Sequence, residues 1–554
     1  MNKLQDKYTI KKSININSVY YLNIISSILF FIYLVALLKN LSITPGIFID
    51  EANYANEVIS LANFGTDIHG LKNPIYFSSV WGQGQSVLYS LIVVPFIKLF
   101  GFSMFNFRIP FAIITLLFII AIYIISYFSN KNKWLSFFLS TSLITSPWLF
   151  ISGRWILDCN IAPMATMFGI LVLFLSFYCE NKIKKYVLLS ISAFLIALSA
   201  YGYVVAWLYL PFLLIITMSY IIKNKLLNLK EISFYGIFMF VIILPILNFA
   251  YNVNVLHMAN VTKFLWFDMP PLPANRVSSL IDFNNPNLIK VMVENLFQGI
   301  KMYFYGSDNL PWNSTSPHGA IFPWLLIFLV IGIFAPRKFF SKKAFTLKQI
   351  IVITVSSFIP LMFIITPNYN HWNFINLSLA LLIGFGLYGV TMSIERKNIK
   401  IILAVLPLIM FAQFYLSGYF GIGETKTFFK DSQVQYSEVQ KLTNLMNTKY
   451  VNKNLFVDGL SGKFVYFRMA SPPIDHKTYL TIQDQKEEYV SENMGPQMKY
   501  GYLRNIDMLD SEYKYGDIVL VTQDDNRFNE NEWLTLDNLD FDHIPHKLIT
   551  KKKL

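Results

Sequence analysis

The chain has 554 residues, 54% of them hydrophobic and only 14% charged, a balance too apolar for an ordinary soluble protein and typical of the membrane class. The formal net charge of +13 is unevenly placed, with 29 Lys/Arg against 13 Asp/Glu over residues 1–420 and 17 against 20 over residues 421–554. The basic excess therefore belongs to the apolar part, where loop charge reports orientation, and a nucleic-acid-binding role is excluded.

In chain order, residues 1–19 carry Lys3, Lys7, Lys11 and Lys12 ahead of an apolar run from Tyr20 to Leu38. That run is about long enough to cross a hydrocarbon core of roughly 30 Å. No small-residue cleavage site follows it, so it reads as an uncleaved first span behind a cytoplasmic N-terminus. Further apolar runs fall at 107–128, 134–150, 161–179, 186–200, 204–222, 232–251, 321–335, 349–366, 373–394 and 401–419. One more, Ser86 to Gly101, is short and holds Pro95 and Lys98. Laid on the outer surface, it leaves eleven spans, and the inside segments then carry 20 Lys/Arg against one, Arg154, in the short outside connections. Counted as a span, it would turn every later basic loop outward, against the positive-inside rule.

This topology predicts a polytopic α-helical membrane domain over 20–420, with long outer loops at 39–106 and 252–320. Residues 421–554 follow as an extracytoplasmic soluble domain of α/β type, with strand-like runs at Asn454–Val457, Lys463–Phe467 and Asp517–Val521. Cys159 and Cys179 flank one span and lie too far apart to pair.

The outer loops hold the chemistry. Glu51 to Phe64 places Tyr54, Val58, Leu61 and Ala62 on one helical face, with Gly65 as a stop. Read locally, Asp50 caps this helix and Glu51 complements its dipole. Read with the topology, Asp50 and Glu51 share a membrane surface with Asp158, and a carboxylate there can take a proton from an acceptor hydroxyl. Arg154, four residues before Asp158, either holds a phosphate with its planar fork or forms a structural ion pair. Tyr201 and Tyr203 line a donor pocket or anchor a helix at the interface. Asp308, near Trp312 and His318, suggests a substrate loop, and the histidine spacing gives no metal motif.

The order of these pieces resembles the GT-C class of membrane glycosyltransferases, specifically the protein O-mannosyltransferase and aminoarabinose-transferase superfamily. The resemblance runs over residues 15–420. It rests on Asp50-Glu51-Ala52 opening a juxtamembrane helix, Lys98-Leu99-Phe100-Gly101 closing a second, and Arg108-Ile109-Pro110 starting the next span. Ser146-Pro147, Gly153-Arg154 to Asp158, Ala200-Tyr201-Gly202-Tyr203, and Tyr305-Gly306-Ser307-Asp308 to Pro317-His318-Gly319 follow. The chain departs from the family where many relatives carry Lys-Pro-Pro or Glu-x-Pro-Pro, having Trp81-Gly82-Gln83-Gly84-Gln85 instead.

The resemblance implies a GT-C fold of about eleven transmembrane helices in the plasma membrane, with the active site on the extracytoplasmic face, and the excess of Lys over Arg with abundant Ile and Asn suggests a bacterial source. The resemblance also implies a polyprenyl-phosphate-linked sugar as donor, a cell-envelope acceptor (protein, glycolipid or polysaccharide), and inversion by a single displacement. Asp50 is then the general base, Glu51 and Asp158 complete an acidic pocket, and Arg154, Arg108 and His318 offset the phosphate charge. No cofactor is required, although neighbouring carboxylates admit a divalent cation. A transporter or flippase, or a polymerase or ligase, of lipid-linked sugars is the alternative. The placing of the strongest carboxylates in outer loops rather than within spans favours the enzyme.

Overall fold

The computed structural model describes residues 16–79, 82–273, 285–310, 312–314, 318–420, 434–470, 499–541 and 544–553. Most of the N-terminal segment expected to be cytoplasmic, Trp81 and Pro317 thus lie outside the described residues. The helices of the membrane part are α1 (Ile16–Leu38), α2 (Ile49–Phe64), α3 (Leu88–Phe100), α4 (Met104–Asn130), α5 (Lys133–Ile144), α6 (Pro147–Ser152), α7 (Asp158–Ser176), α8 (Lys182–Leu198), α9 (Val205–Lys223), α10 (Leu229–Asn254), α11 (Leu288–Tyr305), α12 (Leu326–Phe334), α13 (Lys342–Ile364), α14 (Asn373–Ser393) and α15 (Lys397–Gln413). Short antiparallel pairs β1 (Tyr76–Phe77) with β2 (Gln85–Ser86), and β3 (Thr262–Phe264) with β4 (Phe267–Met269), sit in the two long loops.

Among the described residues, eight helices are long and apolar enough to cross a membrane. Of the three other expected spans, the first is α1, 23 residues long. Pro323–Phe334 is a short apolar helix, and the run at 134–150 divides into α5 and α6 because Pro147 opens a new helix capped by the Ser146 hydroxyl. The Ser86–Gly101 segment forms α3, whose 13 residues reach only about 20 Å. One face of α3 buries Leu88, Tyr89, Val93 and Ile97, while Leu91, Leu99 and Phe100 stay exposed, as suits a helix lying along a membrane surface.

The bundle centres on α14, almost wholly buried among its neighbours. Its crossing with α12 depends on two glycines: a Cβ on Gly332 would meet the Leu382 carbonyl oxygen at 1.9 Å, and one on Gly386 the Phe328 carbonyl oxygen at 1.9 Å. Small residues at such a crossing let two backbones touch where no hydrophobic force separates helix from lipid.

Beyond the bundle come α16 (Tyr436–Thr448) and α17 (Leu460–Ala470) with a six-stranded mixed sheet. The sheet consists of β5 (Leu455–Val457), β6 (Lys499–Tyr500), β7 (Leu503–Asn505), β8 (Ile518–Thr522), β9 (Trp533–Phe541) and β10 (Ile544–Lys551), in the order β6-β7-β5-β8-β10-β9. Central β5 runs parallel to β7 and β8, and the other pairings are antiparallel. Two expected strands match β5 and β8, but Lys463–Phe467 is helical, inside α17. Its β-branched and aromatic residues favour a strand only where a sheet edge receives them, and here they pack instead on α2. The Asn56 amide donates to the Val465 carbonyl at 2.9 Å, and the Ile47 amide to the Val434 carbonyl at 2.9 Å. The C-terminal region is therefore fastened to the helix that carries Asp50.

Candidate active site

A helix ending in an apolar bilayer leaves its last carbonyls without partners unless side chains reach them. Arg154 does this for α1. Its Nη1 donates to the carbonyls of Ala36 and Leu37, its Nη2 to those of Lys39 and Thr44, and its Nε to Tyr419 Oη at 3.0 Å. Aromatic rings of Phe150, Tyr419 and Phe420 lie 5.2–5.5 Å from the guanidinium carbon.

Arg108 organises the turn that follows. Its Nη1 bonds the Leu41 and Pro45 carbonyls at 2.9 Å each, and its Nη2 the Gly46 carbonyl at 3.2 Å. The fork then closes on Glu51, with Nε to Oε1 at 2.8 Å and Nη2 to Oε2 at 2.5 Å. Both guanidinium groups are fully buried, and each makes five hydrogen bonds, the full donor capacity of an arginine. In this structure their donors are engaged by backbone carbonyls, by Glu51 and by Tyr419.

Glu51 also accepts the Ile156 amide at 3.1 Å, so one carboxylate ties the α1–α2 turn, α4 and the segment before α7 together. Burial pushes its carboxyl up, and the adjacent Arg108 charge and hydrogen bonds pull it back. Two residues beyond Ile156, Asp158 opens α7 and accepts the Ser86 amide at 2.9 Å. On the same short strand, the Gln85 side chain donates to the Asp50 carbonyl at 2.9 Å. Strand β2 thus stands between the α2 and α7 starts and gathers Asp50, Glu51 and Asp158 into one patch. Gln85 and Ser86 were not legible as site residues, and the only signal was the unusual glycine-flanked glutamine segment itself.

Asp50 differs from its two partners. It is half-buried, whereas Glu51 and Asp158 are buried. The helix begins at Ile49 with Phe48 as the N-cap residue and no side-chain cap bond. Asp50 is therefore a first-turn residue rather than the cap that its local sequence suggests.

The remaining candidates are placed around this patch. Tyr201 Oη donates to the Ile242 carbonyl at 2.8 Å, and Tyr203 is buried. The turn between them lies against Leu88 of α3 and Ala162 of α7, one helical turn past Asp158. Asp308 accepts from the amides of Leu310 and Tyr369 and from the Asn313 side chain, at 3.1, 2.9 and 2.7 Å. These bonds hold a loop that sets Trp312 5.2 Å from Phe48, the residue before α2. Asp308 thus bears on the patch through Trp312. His318 packs its ring 5.6 Å from Phe414 and 5.9 Å from Phe322, behind the Arg154 aromatic cluster.

A second carboxylate pair lies further along, with Glu57 on α2 and Asp67 just beyond its end. Buried Glu57 accepts the Ile68 amide at 3.0 Å and the Ser79 hydroxyl, and buried Asp67 accepts the amides of His69 and Leu71 at 2.9 and 2.7 Å. Among the described residues, no group of three or more His, Cys, Asp or Glu side chains is arranged to hold a metal ion. Burial, then the Glu57 charge, holds the Asp67 carboxyl well above the usual range. A raised folded-state pKa stabilises the fold fully below the unfolded value and loses that contribution as pH rises through the folded one. Asp67→Asn keeps the acceptor oxygen without the charge. It is therefore expected to melt higher than wild type at pH 8, with the advantage shrinking toward pH 4. Parallel melting-versus-pH curves for the two proteins would refute this.

With α2 and α3 lying along one end of the bundle and the C-terminal sheet region fastened over them, the chain has the GT-C fold. It resembles two crystal structures of ArnT from Cupriavidus metallidurans. The one bound to undecaprenyl phosphate gives a TM-score of 0.56 at 12% identity, covering 97% of this chain and 98% of that one. The apo structure gives 0.56 at 10% identity, covering 96% and 98%. The Archaeoglobus fulgidus oligosaccharyltransferase in its apo form is more distant, with a TM-score of 0.47 at 12% identity over 81% of this chain and 65% of that one. No protein-family model matches the chain, and no curated protein matches its sequence.

Proposed function

We propose that this protein is a glycosyltransferase that moves a sugar from a polyprenyl-phosphate carrier to a cell-envelope acceptor at the outer face of a bacterial plasma membrane. The observation that carries this reading is the contrast within the acidic patch. Glu51 and Asp158 are buried and bonded to backbone amides, while Asp50 alone is half-exposed at the start of the surface helix. A base must reach its substrate proton, and its supports must not move.

In this scheme Asp50 takes the proton from the acceptor hydroxyl as its oxygen attacks the anomeric carbon. The bond from that carbon to the phosphate oxygen breaks, its electron pair leaves with the lipid phosphate, and the single displacement inverts the centre. Glu51 and Asp158 are positioning residues. Tyr201 and Tyr203 form the wall behind α3 and α7, Asp308 shapes the loop carrying Trp312, and His318 backs the aromatic cluster. With Arg108 and Arg154 spent, the counter-charge for phosphate falls to Lys39, exposed at the end of α1 with Nζ 4.9 Å over the Phe420 ring. The likeness in fold to an ArnT structure bound to undecaprenyl phosphate supports a lipid-phosphate donor.

The test uses the full chain in lipid nanodiscs with radiolabelled polyprenyl-phosphate hexoses and pentoses. Sugar transfer or release with liberation of polyprenyl phosphate is expected, and Lys39→Gln should raise the donor KM several-fold with little change in kcat. Donor passing across liposomes with its sugar bond intact would assign the chain to transport instead.

A further inference from the structure

At the other end of α1 and α4 from the carboxylates lies a second feature, which the transfer reaction does not use. Asn23, Ser26, Ser27 and Phe30 of α1 fall at positions i, i+3, i+4 and i+7 and so share one helical face. That face meets Tyr123 and Tyr127 of α4, one turn apart, and Lys133 at the start of α5 closes the end. Together these residues line a cavity of about 420 Å³. Counted along either helix, from Asn23 to Leu38 or from Arg108 to Tyr123, the cavity lies about 22 Å from the level of the acidic patch.

The lining is chemically one-sided. It offers four hydroxyls, a carboxamide and an ammonium, and no carboxylate. Tyr123 Oη donates to Asn23 Oδ1 at 2.9 Å, leaving the amide nitrogen of Asn23 as a donor. Lys131, just outside the lining, stands over the rings of Tyr127 and Phe128 at 5.4 and 5.6 Å and adds a second positive charge. Such a set of donors with net positive charge suits phosphate oxygens. The surface beside it is greasy: Ile25, Ile28 and Phe31 on α1 and Ile124 on α4 are 42–66% exposed and point away from the bundle. A polar pocket beside such an apolar face is costly in hydrocarbon unless something polar fills it.

We propose that this cavity binds the head group of an anionic phospholipid, with the phosphate on Lys133, Tyr123 and the serines and the acyl chains along the exposed aliphatic face of α1 and α4. Basic pockets between membrane helices recognise anionic head groups in this way. A diacyl lipid fits better than a soluble anion because the polar lining and the apolar flank are continuous.

The purified full-length protein, delipidated in neutral detergent, is titrated with phosphatidylglycerol, phosphatidylcholine or inorganic phosphate. Bound lipid is read by native mass spectrometry and the melting temperature by fluorescence. Phosphatidylglycerol is expected to stay bound and to raise the melting temperature. Lys133→Gln should weaken its binding about fivefold, the worth of one basic residue near a membrane surface, and Tyr123→Phe should weaken it independently. If Lys133→Gln does not fold, Tyr123→Phe carries the test. Equal binding of phosphatidylcholine would reduce the site to a greasy groove, and equal protection by inorganic phosphate would make it a soluble-anion site. Unchanged binding in both variants would place the lipid elsewhere.

Discussion

Asp50→Asn is expected to lower sugar transfer by about 10²–10⁴-fold, the range for losing a positioned general base, while the protein folds and still retains donor. The expectation is sharp because the substitution is nearly isosteric and disturbs little. Asp50 is half-buried and does not cap α2, and its backbone carbonyl, the atom Gln85 bonds, is unchanged. Besides chemistry, the substitution gives up the favourable placing of a negative charge in the first turn, worth about 0.3–1 kcal/mol. The melting temperature should therefore fall only slightly and the donor KM should hardly move. An Asp50→Asn protein that transfers sugar at the wild-type rate would remove the base assignment, and the patch would then be a structural junction between α2, α4 and α7.

Much of this arrangement was legible in the sequence, and the reasons differ from residue to residue. Asp50-Glu51 drew attention because two carboxylates at a membrane surface, a short way beyond an apolar run, are expensive unless solvated or used, and the order of later motifs identified the GT-C fold that the structure has. Apolar periodicity located the helices, and the short Ser86–Gly101 run, with its internal proline and lysine, pointed correctly to a helix too short to span. The engagement of the two arginines was not legible for a physical reason. A guanidinium that binds phosphate and one that closes a helix end use the same donors, and which carbonyls lie within reach depends on where α1 stops. The turn from Leu41 to Gly46 and the four carbonyls around Arg154 become one shell only when α1, α4 and α6 are packed together. Gln85 and Ser86 were missed likewise, since a two-residue strand inside a loop has no periodicity to read. The helical fate of Lys463–Phe467 was set by contact with α2, which no local propensity encodes.

The second large effect is expected at Arg108 and Glu51, and it separates a structural clasp from a phosphate site. Removing one partner of a buried ion pair leaves the other charge without compensation, at a cost of about 3–5 kcal/mol. Arg108→Met should therefore melt far below wild type, because Glu51 loses both guanidinium bonds and three backbone carbonyls lose their donor. Glu51→Gln should cost less, since the amide oxygen can still accept from Ile156 and Arg108 keeps its three carbonyl partners. The double variant, Glu51→Gln with Arg108→Met, should be more stable than the sum of the two single losses predicts, because the buried carboxylate is gone before its partner is removed. Donor affinity, measured on whatever fraction stays folded at low temperature, should follow stability and not charge. A phosphate-binding Arg108 predicts the reverse pattern. Arg108→Met would then keep its melting temperature and lose donor binding, and Glu51→Gln would strengthen binding by freeing the fork. The double-variant cycle decides between them, because coupling between residues 51 and 108 appears in the melting data only if the guanidinium is committed to the carboxylate.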